Sequence, residues 1–394
     1  MDYNPFLPEV QADPYPYYAY LRQHAPVYYV PFGFWTLSRY DDVYFAFRNP
    51  HVFSSAVLVS AFIGDLNPFP PDAPMMLAAD PPDHTRLRKL INRAFTPRRI
   101  ASLELHIREV VRHLVAQLPA RGEFDLVREL SAPLPIITIA ELLGVPPERR
   151  DDFKRWTGAM IRATSGFTVP QEEREEIRRN TGELFAYFRE VIAAYHRTPG
   201  DNLLSDMVRA EEENQTLTAE EVLSMAILLI GAGSETTTNL IANAMLALCA
   251  HPQQFAQVRA HPALIPNMLE ETLRYDGPIQ TLFRQTTQDV ELSGTKIPAG
   301  SVVLLLVGSA NHDERKFPDP ERFDIMRNTE GHIGFGFGIH FCLGAQLARL
   351  QAKMAVEALL ERFPSLARTD APLVRIESLS VHGPKALPLV TTRV

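Results

Sequence analysis

Residues 334–344 read GFGFGIHFCLG and place Cys342, one of only two cysteines in a chain of 394 residues, among four glycines and three phenylalanines. Leu343, Leu347, Leu350, Met354 and Ala358 follow at gaps of three and four, which predicts an amphipathic helix beginning near Gly344. A cysteine at a helix N-terminus feels the positive end of the helix dipole and the unpaired amide N–H groups, both of which favour the thiolate. The glycines let the backbone come close to whatever the sulfur touches. A thiolate on a close-approach loop is a nucleophile or a soft metal ligand.

A zinc site needs three or four protein ligands, and His340 is the only other candidate nearby. Two options are left: a cysteine nucleophile with His340 as its base, or a lone thiolate ligand to haem, which brings its remaining equatorial ligands itself. Phe335, Gly336, Gly338, His340, Cys342 and Gly344 form F-G-x-G-x-H-x-C-x-G, which resembles the haem-binding signature of the cytochrome P-450 superfamily. The resemblance implies haem b (iron protoporphyrin IX) with Cys342 as axial metal ligand. It further implies that Phe335 shields the sulfur and that His340 reaches a haem propionate.

Other stretches recur in the order this family has them. GAGSETTT, residues 231–238, interrupts an apolar helical pattern. Gly233 and the hydroxyls of residues 234–238 predict a locally weakened helix, because serine and threonine bond back to the carbonyl four residues earlier. Glu235 and Thr236 place an acid and a hydroxyl in an apolar wall, the makings of a proton relay. Ala232, Gly233, Glu235 and Thr236 resemble the family's A-G-x-(D/E)-T pattern, which implies catalytic roles for Glu235 and Thr236 in oxygen activation and contact of Ala232 and Gly233 with the cofactor. ETLR sets Glu271 and Arg274 one helical turn apart and resembles ExxR. PERF, residues 320–323, resembles the segment whose arginine, here Arg322, completes a buried Glu-Arg-Arg structural triad. HTRLR sets His84 and Arg88 on one helix face. By resemblance these two hold haem propionates, with Arg284 contributing from a strand.

The composition is that of an ordinary globular protein, 46% hydrophobic and 22% charged. A net charge of −8 argues against nucleic acid as the main partner. Two cysteines fit a reducing compartment, and the acidic, proline-rich start is unlike a secretion signal. The longest apolar runs fall far short of the roughly 20 residues that span a bilayer. The chain reads as cytoplasmic, without a membrane anchor. VYYV (27–30) and FWTLS (34–38) read as a hairpin, and VELSG (290–294) and IPAGSVVLLLVG (297–308) as strands. Residues 84–275 are mostly helical, and the tail is β. The expected fold is mainly α: a single cytochrome P-450 domain over 1–394, helix-rich and triangular, with small marginal sheets.

The resemblance implies a monooxygenase that uses O2 to hydroxylate or epoxidise a hydrophobic small molecule: a polyketide, terpenoid, fatty acid or xenobiotic. Because the chain has no GxGxxG strand-turn-helix and no iron-sulfur cysteine set, electrons come from a ferredoxin or flavodoxin with its reductase. Arg93, Arg98, Arg99 and Arg349 are candidates for its docking face on an expected monomer. Phe62, Ile63, Leu66, Leu229, Ile279, Leu282 and Val381 are candidates for the substrate pocket. Cys249, on an apolar helix with no glycine loop, reads as a core residue.

Overall fold

The computed structural model describes residues 3–58, 66, 69, 75–95, 100, 101, 103–163, 169–214 and 217–391. The chain divides into two compact units. One is Met1–Ser54, Glu104–Leu134 and Thr236–Val394; the other is Ser55–Leu103 and Pro135–Glu235.

Among the described residues, the first unit holds all the β structure. Its strands are β1 (Val27–Val30), β2 (Phe34–Leu37), β3 (Phe53–Ser54), β4 (Gly122–Asp125), β5 (Thr281–Thr286), β6 (Val290–Leu292), β7 (Thr295–Ile297), β8 (Val302–Leu306), β9 (Ala367–Arg368) and β10 (Pro388–Thr391). The main sheet runs β1-β2-β8-β5-β3, with only β2 and β8 parallel, at Trp35 opposite Val303. The expected hairpin is β1-β2, with Val30 opposite Phe34. The β6-β7 turn is made by Ser293 and Gly294, both at positive φ, the backbone that a two-residue hairpin loop requires. β4 pairs with β10 in a second small sheet, inside the span read as mostly helical.

One face of the main sheet packs on the helix Tyr40–Arg48. Leu37, Val43, Phe47, Phe53, Val303, Leu305 and Ile333 share one hydrophobic cluster there. Ile333 stands immediately before the cysteine loop, so the loop springs from a fixed point in the core. The helix Ile265–Tyr275 buries Ile265, Met268, Leu269, Thr272 and Leu273, spaced by three and four. The helix predicted to begin near Gly344 runs from Ala345 to Arg362 and buries Leu347, Gln351, Met354 and Leu359.

A buried acid joins distant segments of this unit. Asp276 Oδ1 accepts from the Tyr15 hydroxyl at 2.8 Å and lies 3.3 Å from His382 Nε2, while its Oδ2 accepts from Arg375 at 3.0 Å. Burial opposes its ionisation, but Arg375, His382 and Tyr15 outweigh that and hold the carboxyl well below the usual range.

The second unit is helical among its described residues. The helices Arg150–Ala163 and Gln171–Arg197 pack together over Phe153, Trp156, Leu184 and Phe188, and the Trp156 indole N–H donates to Glu183 at 3.0 Å. The 32-residue helix Ala219–Ala250 begins with a reciprocal cap. Thr218 N–H donates to Glu221 Oε2 at 2.8 Å, and Glu221 N–H donates to Thr218 Oγ1 at 3.2 Å. Glu221 is also paired with Arg86 of the helix Asp83–Ala94.

Candidate functional site

The cysteine loop is closed by its own backbone. Cys342 N–H donates to the Phe335 carbonyl at 3.0 Å, Phe341 N–H to Gly338 at 3.1 Å, and Gly336 N–H to Ile333 at 2.9 Å. Gly338, with φ +73°, starts a single 3-10 turn that ends at His340. A Cβ on Gly338 would lie 2.4 Å from the Phe47 carbonyl oxygen, so a side chain there would force the loop off the helix Tyr40–Arg48. Gly344 is different: it caps the following helix at an ordinary φ of −83°, and a Cβ on it would meet nothing within 4 Å. Cys342 itself is half-buried.

The loop is held from below by the helix Ile265–Tyr275. Arg274 and Glu271 are wholly buried and bidentate, at 2.8 and 2.9 Å. Arg274 also donates to the carbonyls of Asn311 (3.1 Å) and Pro320 (2.9 Å). The Asn311 side chain accepts from Ile333 N–H at 2.9 Å, and this carries the brace to the root of the loop. Each buried donor is satisfied, which a buried charge requires.

One member of the expected triad is corrected. Arg322 is two-thirds exposed and pairs with Asp324 at 2.8 Å. The second arginine on Glu271 is Arg327, whose Nε donates to Oε1 at 3.1 Å and whose side chain is 9% exposed. Arg322 contributes only its carbonyl, which accepts from both Arg274 and Arg327. The backbone turns between the two arginines, and Asp324 N–H donates to Glu271 at 2.9 Å. The position that faces the buried carboxylate is therefore 327.

The helix Ala219–Ala250 continues unbroken through 231–238, so the expected weakening is absent. Ser234 does bond back to the Ile230 carbonyl at 2.8 Å, and Thr238 donates to the Ser131 carbonyl at 3.1 Å. Burial of residues 222–230 and 237–245 holds the helix straight against the roughly 1 kcal/mol that each glycine costs. What changes at this point is cover. Ala232 is exposed, Gly231, Gly233, Glu235 and Thr236 are half-buried, and a Cβ on Gly233 would meet nothing. Burial pushes the Glu235 carboxyl up to about 7.

On the helix Asp83–Ala94, His84 is 2% exposed. Burial, aided by nearby Arg88, lowers its pKa below the ordinary value. Arg284, on β5, is buried, with its guanidinium 5.7 Å from the Phe47 ring centroid and one N–H on the Phe283 carbonyl at 2.7 Å. Of the pocket candidates, Ile279 and Val381 are bridged backbone partners and are half-buried, as is Leu282. Leu229 is buried, and Leu66 lies in a cluster with Ala163, Val169 and Ile177. Phe62, Ile63, Arg98 and Arg99 lie outside the described residues. Cys249 is half-buried, and burial pushes its thiol up to about 11, which keeps it protonated.

Within the first unit, the half-buried thiol of Cys342 on its braced loop and the buried guanidinium of Arg284 are donors of the kind a haem uses, a soft ligand for its iron and a cation for a carboxylate. The class so defined is a haem-thiolate enzyme. The family model described as Cytochrome P450 matches residues 152–262 and 256–387. The chain is 42% identical over 392 residues to the cytochrome P450 monooxygenase PikC of Streptomyces venezuelae, covering 96% of this chain and 91% of PikC. It is 41% identical over 386 residues to a vitamin D(3) 25-hydroxylase of Pseudonocardia autotrophica, covering 96% and 93%. The solved structure of cytochrome P450 CYP109Q5 from Chondromyces apiculatus superposes with a TM-score of 0.90 at 42% identity, covering 100% of this chain and 99% of that one. The chain belongs to the cytochrome P450 family and is a monooxygenase of that fold.

Proposed function

We propose that this enzyme inserts one oxygen atom of O2 into a hydrophobic small molecule, by hydroxylation or epoxidation, at a single haem b. The observation that carries this reading is the less covered stretch 231–236 of the helix Ala219–Ala250, where Glu235 and Thr236 put an acid and a hydroxyl side by side and burial pushes the acid up to about 7.

Haem, when bound, supplies oxygen activation, assisted by electron donation from a thiolate ligand. The chain supplies the rest. Cys342 is the proposed ligand, and its half-burial on a hydrogen-bonded loop limits water at the sulfur. His84, Arg88, Arg284 and His340 are the proposed propionate partners, since buried carboxylates require such donors. His84 is proposed to offer a ring N–H; burial, with nearby Arg88, lowers its pKa. Phe335, Gly336, Gly344, Ala232 and Gly233 are proposed to face the porphyrin. Glu235, protonated below about pH 7, is proposed to hold a proton that Thr236 passes on.

Ile279, Leu282, Val381, Leu66 and Leu229 are proposed to select an apolar substrate. The vitamin D(3) 25-hydroxylase relative acts, by its name, on a large apolar molecule, which supports that choice. A ferredoxin or flavodoxin with its reductase is the proposed electron source. A cytoplasmic monomer folded as one P450 domain is the proposed state. Among the described residues, no helix is long and apolar enough to cross a membrane.

The test uses two variants. Cys342→Ala should lose the red-shifted reduced-CO band diagnostic of thiolate ligation. Thr236→Ala should keep the band but divert electrons from product to peroxide by about a hundredfold, the low end of the usual contribution of a positioned proton donor. Full coupling in Thr236→Ala would rule out the relay.

A further inference from the structure

Arg349, on the helix that follows the loop, points back at it. Its guanidinium lies 4.5 Å from the centroid of the Phe335 ring. It is held there by Glu270, which accepts from Arg349 Nε at 2.6 Å and from its second nitrogen at 2.8 Å. Glu270 also bonds His332 Nε2 at 2.9 Å, and His332 Nδ1 accepts from Gly334 N–H at 3.2 Å. With Nδ1 as acceptor, the His332 proton resides on Nε2, so the neutral ring bridges Glu270 to the loop. Burial disfavours the ionised Glu270, yet Arg349 and His332 outweigh it and hold the carboxyl at about 2, so the pair stays charged at any physiological pH.

The connections form a closed circuit: the helix Ile265–Tyr275 through Glu270, the loop entry through His332 and Gly334, the helix Ala345–Arg362 through Arg349, and the loop again through Phe335. Phe335 is also the residue whose carbonyl receives Cys342 N–H. A shift of that ring therefore moves the peptide that orients the cysteine. Arg349 uses its guanidinium within this circuit, which argues against its assignment to a docking face.

We infer that Arg349 is a positioning residue for the sulfur of Cys342, acting through Phe335 and locked in place by Glu270. This rests on the haem-thiolate reading above. A planar guanidinium can stack on a ring while donating two in-plane bonds to a carboxylate; an ammonium cannot do both.

The experiment compares full-length haem-loaded wild type, Arg349→Ala, Arg349→Lys and Glu270→Gln, reading the ratio of thiolate to thiol bands in the reduced-CO spectrum and the midpoint potential of the iron. The expected result is a rise of about fivefold in the thiol fraction for Arg349→Ala, the factor that loss of one partly shielded cation–π contact gives, with a shifted potential. Arg349→Lys should recover less than half of that loss. Should Arg349→Ala fail to take up haem, Glu270→Gln, which keeps the shape and removes the charge, decides the matter by the same two readouts. A wild-type ratio and potential in the haem-loaded variants, with only slower reduction by a redox partner, would overturn the inference and return Arg349 to the docking face. Absence of the thiolate band in the wild type itself would instead overturn the haem-thiolate reading.

Discussion

Arg327 Nε donates to Glu271 Oε1 at 3.1 Å, so the buried carboxylate is shared between Arg327 and the Arg274 fork. Removing Arg274 takes the bidentate partner from a wholly buried acid. Arg274→Ala is expected to lower unfolding free energy by about 3–5 kcal/mol, the range for breaking a buried ion pair. Arg327→Ala should cost less, because Arg274 still faces the acid. Arg322→Ala, on an exposed pair, should cost about 0–1 kcal/mol. Urea unfolding of the three variants checks the ranking; an Arg322→Ala loss matching Arg327→Ala would refute the assignment.

The motif spacing made the loop and the Glu271–Arg274 turn legible, since both are local. Arg327 was not legible, because only the turn through Asp324 decides which nearby arginine faces inward. β4 was hidden for a related reason: its partner β10 lies more than 250 residues away, and Gly122-Glu123-Phe124-Asp125 has little strand character alone. At 231–238, local propensity pointed to a weak helix, and tertiary burial on both sides of that segment overrode it.

Gly338 and Gly344 should respond oppositely to alanine. Gly338→Ala places a methyl 2.4 Å from the Phe47 oxygen at a φ of +73°, and about 1–2 kcal/mol of backbone strain adds to the clash. Its apoprotein should melt well below wild type. Gly344→Ala meets no protein atom, so its apoprotein stability should stay within about 0.5 kcal/mol, while haem titration shows weaker uptake. Calorimetry of the apoproteins and absorbance titration separate the two effects.

Glu235 predicts a pH limit on coupling. Its folded pKa, about 7, lies above the ordinary 4.5. The protonated donor is therefore present below about 7 and lost as pH rises through it. Product formed per electron should fall along that limb in the wild type. Glu235→Gln, which cannot titrate, should be low and flat. Persistence of the limb in Glu235→Gln would assign it to another group.

Asp276 predicts an acid-linked loss of stability. Its folded pKa is lowered, so its contribution is present above the unfolded value of 3.8 and disappears as pH falls below it. Asp276→Asn should lose about 3 kcal/mol at neutral pH by leaving Arg375 without its buried partner. The gap to wild type should narrow on acidification. Denaturant midpoints at neutral and acidic pH measure both.

The same acid has a consequence for how the chain is made. Asp276 receives Tyr15 from the beginning of the chain, and Arg375 and His382 from its last twenty residues. During translation the tyrosine and the carboxylate emerge well before Arg375 and His382, so the cluster stays incomplete until both have been made. A ribosome stalled before residue 375 would therefore display the helix Tyr15–His24 without a finished seat. The stretch that carries Arg375 and His382 is the latch on a unit whose sheet already joins residues 35 and 303 in parallel, a long-range closure that favours late, cooperative folding.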